Sequence, residues 1–392
     1  MFRFKTLAFT FVLTGLLASL PAFAMKGVGN VLPDDGTPKV TVQAKKAPQP
    51  GQQETRSDKN PPAHVLMPVF NARESVLTSI QSVLDQTYPN TKLLVWNDGS
   101  TDGTVQMLEQ FVEDNPLLKT KVHVKLTLGN NGVAYARSRL IQWSKAKNPN
   151  AYILWLDADD KYTDSTFIQA VMKRMLSTQS DICLFNFSVA YEDEGQKANA
   201  AGLLKDKDNF VNIMREVLST PTQSIAPLKL ENVLAITSLG WVKCYAPTVK
   251  LPETADCPFE DFVYMAALLE ASRITALPVE CEPIQYLRRS TSICGQRKPE
   301  NFTHHIPRQL RKFFDTVFEQ SKDTPEHLQK LKLAQGFVEA KFNQYSLTLE
   351  NIITAKTYPT INQAVLELFL KEGAETKSHI QRRIESEFEE KK

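Results

Sequence analysis

The chain predicts an α/β fold: a mostly parallel sheet covered by helices on both faces, followed by a helical C-terminal extension. Three observations carry this. Short apolar runs at His64–Phe70, Lys92–Asn97 and Ala151–Leu156 alternate with helix-period segments, a pattern that builds parallel strands joined by crossover helices. These runs are apolar nearly throughout, as strands buried on both faces must be. Beyond Gln296 the chain is almost free of glycine and reads as successive amphipathic segments.

In chain order, Arg3 and Lys5 precede an apolar run, Leu7–Leu20, and then Pro21-Ala22-Phe23-Ala24. A basic start, an apolar middle and a small-residue site describe a signal peptide over residues 1–24, cut after Ala24. The same stretch is barely long enough to serve instead as an uncleaved membrane anchor. Both readings take the remainder out of the cytoplasm, to a periplasmic or secreted location or to the membrane. Residues 25–62 hold many Pro, Gln, Lys and Asp residues and few large apolar ones. They cannot bury enough surface to offset ordering, so they read as a flexible linker. A catalytic-sized domain then occupies residues 63–295 and the helical extension residues 296–392.

His64–Phe70 is the first strand. Asn71 is expected to cap the next helix, with Glu74 completing a capping box. Val76, Leu77, Ile80, Val83 and Leu84 give that helix one apolar face. Lys92–Asn97 is the second strand, followed by Asp98-Gly99-Ser100-Thr101-Asp102-Gly103 and a helix through Val112. Asp102 is suited to cap that helix. Lys121–Leu128 is the third strand, and a helix runs from Asn131 to Lys147. Ala151–Leu156 is the fourth strand, with a helix from Ser165 and one further strand over Asp181–Val189. In the extension, amphipathic segments surround Arg308–Gln320, Glu326–Leu347, Ile361–Lys371 and His379–Glu389. Their dense mixed charge marks a solvated outer face.

Lys and Arg number 46 against 44 Asp and Glu, a net charge of +2, too balanced for a protein whose partner is a nucleic-acid backbone. At 42% hydrophobic residues, the chain has material for a full core. The five cysteines match no zinc spacing. Four lie between Trp241 and Gln296, where export would permit one or two disulfides of undetermined pairing. Cys183, inside an apolar run, reads as a buried small hydrophobe.

The polar clusters follow strands one, two and four, where α/β sheets bind ligands. Asp157-Ala158-Asp159 ends the fourth strand, and the period-two geometry of an extended segment puts both carboxylates on one side. Two acids so placed repel unless a cation lies between them, and Mg²⁺ or Mn²⁺ with phosphate oxygens is the usual solution. The plainer alternative is an acidic turn, with Asp160 or Asp164 capping the next helix. Asp98 puts an acceptor at the edge of the pocket, suited to a nucleobase N–H or a ribose hydroxyl. Arg137 offers a guanidinium fork to a base carbonyl or a diphosphate, although most helical arginines are solvated. Glu260-Asp261 precedes an apolar helix, where acids ordinarily complement the dipole.

Taken in order, the motifs resemble family 2 glycosyltransferases of the GT-A fold, a Rossmann-like architecture. They are M-P-V-F-N (Met67–Asn71), S-I-Q-S-V-L-D-Q-T-Y (Ser79–Tyr88), W-N-D-G-S-T-D-G-T (Trp96–Thr104) and N-N-G-V-A-Y-A-R (Asn130–Arg137). L-W-L-D-A-D-D (Leu154–Asp160), W-V-K-C-Y (Trp241–Tyr245), F-E-D (Phe259–Asp261) and Y-L-R-R-S-T-S-I (Tyr286–Ile293) follow. The resemblance implies metal-dependent, inverting sugar transfer from a nucleotide sugar, with a UDP-sugar expected, to a hydroxyl of a glycan, lipid or protein. It implies that Phe70 stacks on the base and that Asn71 and Trp241 line the donor site. Asp98 would bond the base, Arg137 would support the nucleotide, and Asp157 would face the ribose and diphosphate. Asp159, with Asp157, would hold Mn²⁺ or Mg²⁺, and Arg288 and Ser292 would close over the diphosphate. Asp261, or its neighbour Glu260, would act as the base. Asn97 stands where many relatives have a second Asp. No Q-x-x-R-W motif follows F-E-D, so one or a few sugars per acceptor are expected. The alternative is an exported module of this fold that binds a nucleotide or sugar without turnover.

Overall fold

The computed structural model describes residues 60–198, 201–219, 242–249, 251, 273–289, 306–323, 327–354 and 363–390. The signal peptide and most of the linker expected from the sequence lie outside them. The strands are β1 (Ala63–Val69), β2 (Thr91–Asp98), β3 (Val122–Thr127), β4 (Tyr152–Trp155), β5 (Lys161–Tyr162), β6 (Ile182–Leu184), β7 (Phe187–Tyr191), β8 (Lys243–Tyr245), β9 (Ile274–Ala276) and β10 (Ile284–Arg288). The helices are α1 (Val76–Leu84), α2 (Thr104–Asp114), α3 (Val133–Lys147), α4 (Phe167–Thr178), α5 (Glu194–Ala198), α6 (Ala201–Ser219), α7 (Ile306–Ser321), α8 (His327–Thr354) and α9 (Gln363–Glu389).

Among the described residues the main sheet runs β3-β2-β1-β4-β8-β6-β9, and a smaller one runs β5-β10-β7. β1 pairs in parallel with β2 and β4, and β2 with β3, whereas β8 is antiparallel to both β4 and β6. Every residue of β1 is buried, as are Leu93–Asp98 of β2 and all of β4. Because these strands run the same way, Phe70, Asp98 and Asp157 emerge at one edge of the sheet.

Four expectations change. α1 starts at Val76 rather than from an Asn71 cap, and no side chain caps it. Asn71 instead takes a left-handed backbone, φ 49°, and its side chain serves the next loop. The run Asp181–Val189 is two strands in two sheets. Asn186 divides it: its amide donates to the Val279 carbonyl at 2.7 Å and its Oδ1 accepts from the Phe187 N–H at 2.9 Å. Those bonds replace ladder partners where the chain crosses over. The last two amphipathic segments of the extension fuse into α9, which continues through Gly373. A Cβ there would lie 3.1 Å from the Phe342 ring, so glycine permits the close approach of α8. Finally, the extension is more than a solvated face. Leu310, Phe314, Phe318, Leu331, Phe337, Leu349, Phe369 and Ile380 form a core of its own.

Cys183 and Cys244 are buried opposite one another on β6 and β8 as free thiols, and Cys281 is an exposed free thiol. The Phe185 N–H to Val242 carbonyl and Ala246 N–H to Asp181 carbonyl bonds place the Cys183–Cys244 pair in a hydrogen-bonded register. That register holds the Cβ atoms farther apart than a disulfide favours. Cys257 and Cys294 lie outside the described residues.

His64 is fully buried in β1, its Nδ1 2.8 Å from Ser144 Oγ of α3. Burial, then the charges of Lys92 and Lys147, bring its pKa down to about 4. The unfolded chain therefore takes up this proton at higher pH than the folded one. Stability is complete above pH 6.5 and falls as the pH drops toward 4, by about 3 kcal/mol from this group. Urea unfolding at pH 7 and 4.5 should show a smaller acid loss in His64→Gln than in the wild type.

Candidate active site

The loops after β1 and β2 are bound to each other. Asn71 N–H donates to Ser100 Oγ at 2.9 Å, and Asn71 Oδ1 accepts the Thr101 N–H at 2.8 Å. Ser100 Oγ donates in turn to Asn97 Oδ1 at 2.6 Å. Asp102 accepts the N–H groups of Arg73, at 3.1 Å, and of Thr104, the first residue of α2, at 3.0 Å. It thus serves the helix start, as expected, while also holding the first loop. This lattice leaves Phe70 46% exposed at the end of β1, its ring face unspent on the core. Gly99 has φ 70°, and a Cβ there would sit 2.5 Å from the Gly129 carbonyl carbon, so only glycine lets these two turns touch.

Asp98 closes β2 and is 2% exposed. Its Oδ2 accepts the backbone N–H groups of Asn131 and Gly132 at 2.8 and 2.7 Å. Oδ1 is buried and has no hydrogen-bond partner among the described residues.

Arg137 is a buried residue of α3 rather than a solvated one. Its Nη2 lies 2.9 and 3.1 Å from the two oxygens of Asp157, and its guanidinium carbon lies 5.8 Å from the Trp155 ring centre. The side chains are 7% and 27% exposed, so this ion pair is only partly screened. Asp159 accepts from Arg289 Nη2 at 3.0 Å, with side-chain exposures of 24% and 17%. Burial and the neighbouring Asp157 push the Asp159 carboxyl up, while Arg289 draws it back.

Asp160 does not cap a helix. Asp164 does that work, accepting the N–H and hydroxyl of Thr166 just ahead of α4. Asp160 is fully buried and its Oδ1 accepts the Leu287 N–H at 3.0 Å, bracing β10 against the acidic loop. Burial, followed by Asp159 and Asp157, holds its carboxyl well above the usual range.

The structure therefore brings Phe70, Asn71, Asp98, Arg137, Asp157 and Asp159 to one edge. Sequence reasoning missed Asp160 and Arg289. Both belong to quoted motifs, but their roles depend on how β10 lies against the loop. Arg288 closes β10 and is 3% exposed. Trp241, Glu260, Asp261 and Ser292 lie outside the described residues.

No group of three or more His, Cys, Asp or Glu side chains is arranged to hold a metal among the described residues. The donors nevertheless suit a hard divalent cation. Asp157 and Asp159 offer adjacent carboxylates that repel one another, and such ions take one or two carboxylates with substrate phosphates supplying the rest.

Residues 64–226 match the family model described as glycosyl transferase family 2. The glycosyltransferase TuaG of Bacillus subtilis is 29% identical over 128 residues, 33% of this chain and 46% of TuaG. WfgD of Escherichia coli, a UDP-Glc:α-D-GlcNAc-diphosphoundecaprenol β-1,3-glucosyltransferase, is 34% identical over 96 residues, 24% of this chain and 34% of WfgD. The matched segment thus spans less than half the length of these relatives. Residues 1–349 of TarS from S. aureus, solved with UDP-GlcNAc, superpose with a TM-score of 0.54 at 15% identity, covering 83% of each chain. The ordered motifs, the family match and the shared architecture converge: residues 64–226 form a glycosyl transferase family 2 segment, and the fold is GT-A.

Proposed function

We propose that the protein transfers a sugar from a nucleotide-sugar donor to a hydroxyl acceptor, with inversion at the anomeric carbon. The observation that carries this reading is the carboxyl edge itself: an exposed ring at Phe70, a carboxylate oxygen of Asp98 with no partner among the described residues, and the Arg137–Asp157 pair beside Asp159. In this reading Phe70 stacks on the base and Asp98 Oδ1 accepts a base N–H. Arg137 holds Asp157 toward the ribose and diphosphate. Asp159, with Asp157, holds Mn²⁺ or Mg²⁺, which when bound offsets charge on the leaving diphosphate. Asp261 takes the acceptor proton. A UDP-sugar is the donor proposed first, and TarS and WfgD, whose descriptions name UDP-sugars, support that choice. The basic and apolar segment at residues 1–24 supports export.

Thermal unfolding with a panel of nucleotide sugars, each with and without Mn²⁺, tests the reading. A ligand present at about 100 times its Kd stabilises by about 2.7 kcal/mol, so one donor should raise the midpoint by several degrees. Asp159→Ala should lose the Mn²⁺-dependent part. A panel in which no nucleotide sugar moves the midpoint would refute donor binding.

A further inference from the structure

We propose that Arg289 is a donor-binding residue held in reserve on Asp159: a divalent cation displaces it, and the released guanidinium takes the donor diphosphate. This rests on the reading of Asp159 as a cation ligand. Each acid of Asp157-Ala158-Asp159 has its own arginine, but the two pairs are anchored differently. Arg137 rises from the middle of α3, between buried Ala136 and Ser138 and beside the Trp155 ring. Arg289 directly follows the last residue of β10 and reaches Asp159 from a strand terminus. Asp160 clamps that strand two residues earlier, through the Leu287 N–H, so the backbone is held where the long side chain begins.

A guanidinium and a divalent ion cannot share one carboxylate without facing each other as like charges. The cation has the higher charge and the harder preference for oxygen, so Arg289 is the group that leaves. A nucleotide diphosphate delivers negative charge to the same place, and its oxygens match the guanidinium fork. Arg289, rather than the buried Arg288, is therefore the arginine that closes on the diphosphate.

The test measures Mn²⁺ binding alone, by the electron paramagnetic resonance of free Mn²⁺, on the full chain without nucleotide. Wild type is compared with Arg289→Met, Asp159→Asn and Lys161→Met; Lys161 is a cation two residues from Asp159 that does not pair with it. Arg289→Met should bind Mn²⁺ about tenfold more tightly than wild type, the factor that corresponds to one modest ionic competitor. In saturating Mn²⁺ the same variant should bind UDP about tenfold more weakly. Loss of packing alone would weaken both, so changes of opposite sign are the signature. Unchanged or weaker Mn²⁺ binding in Arg289→Met, or equal tightening in Lys161→Met, overturns the displacement. If Asp159→Asn still loses Mn²⁺ in that event, the cation reading survives without it. Mn²⁺ bound by none of these proteins, with or without UDP, removes both.

Discussion

Transfer by an Asp261→Asn variant is expected to fall by about 10²-fold or more while donor affinity is retained. In the proposed reaction the acceptor hydroxyl loses a proton as it attacks, and the F-E-D carboxylate is the group proposed to take it. Asparagine keeps the shape and the acceptor oxygen but cannot take the proton. Equilibrium binding of UDP with Mn²⁺ should therefore match wild type, and initial rates with a saturating donor should carry the whole loss. Wild-type turnover in Asp261→Asn would pass the role to Glu260. A fall in donor affinity equal to the fall in rate would show that Asp261 binds donor rather than taking the proton.

Arg137→Met is expected to destabilise the fold by about 3 kcal/mol, the range found when one partner of a largely buried ion pair is removed. The variant leaves Asp157 facing Asp159 and the fully buried Asp160 with one fewer counter-charge. Methionine keeps most of the side-chain volume beside Trp155, so the loss reports charge more than packing. Adding Asp157→Leu should recover most of it, because the double variant removes the stranded carboxylate. Urea unfolding of the four proteins in the cycle gives the coupling. A coupling below about 0.5 kcal/mol would mark the pair as an ordinary surface contact.

The first four strands are read with little error because each is a local apolar run, and a run buried on both faces needs no knowledge of its neighbours. Asp98 and Asp157-Ala158-Asp159 follow directly, since they stand where those runs end. Arg137 was legible as a candidate but not as a buried ion pair, because an isolated helical arginine looks the same whether it faces solvent or an acid. Asn71 misled: Asn-x-x-Glu suits a helix start, yet the bonds to Ser100 and Thr101 from another loop outweighed the local cap. The split of Asp181–Val189 depended on Val279, and the close packing of α9 at Gly373 on Phe342, each distant in the chain.

By itself, the amino-acid order determined the alternating architecture, the edge at which the site lies and the acids that face it, because apolar periodicity and strand ends are short-range properties. Tertiary structure alone decided which arginine meets which acid, that Asp160 braces β10 and that the C-terminal helices share a core. Those outcomes depend on register and pleat between segments up to 130 residues apart, as Asp159 and Arg289 are. A charged side chain has no intrinsic preference for one distant partner until the backbone places one within reach.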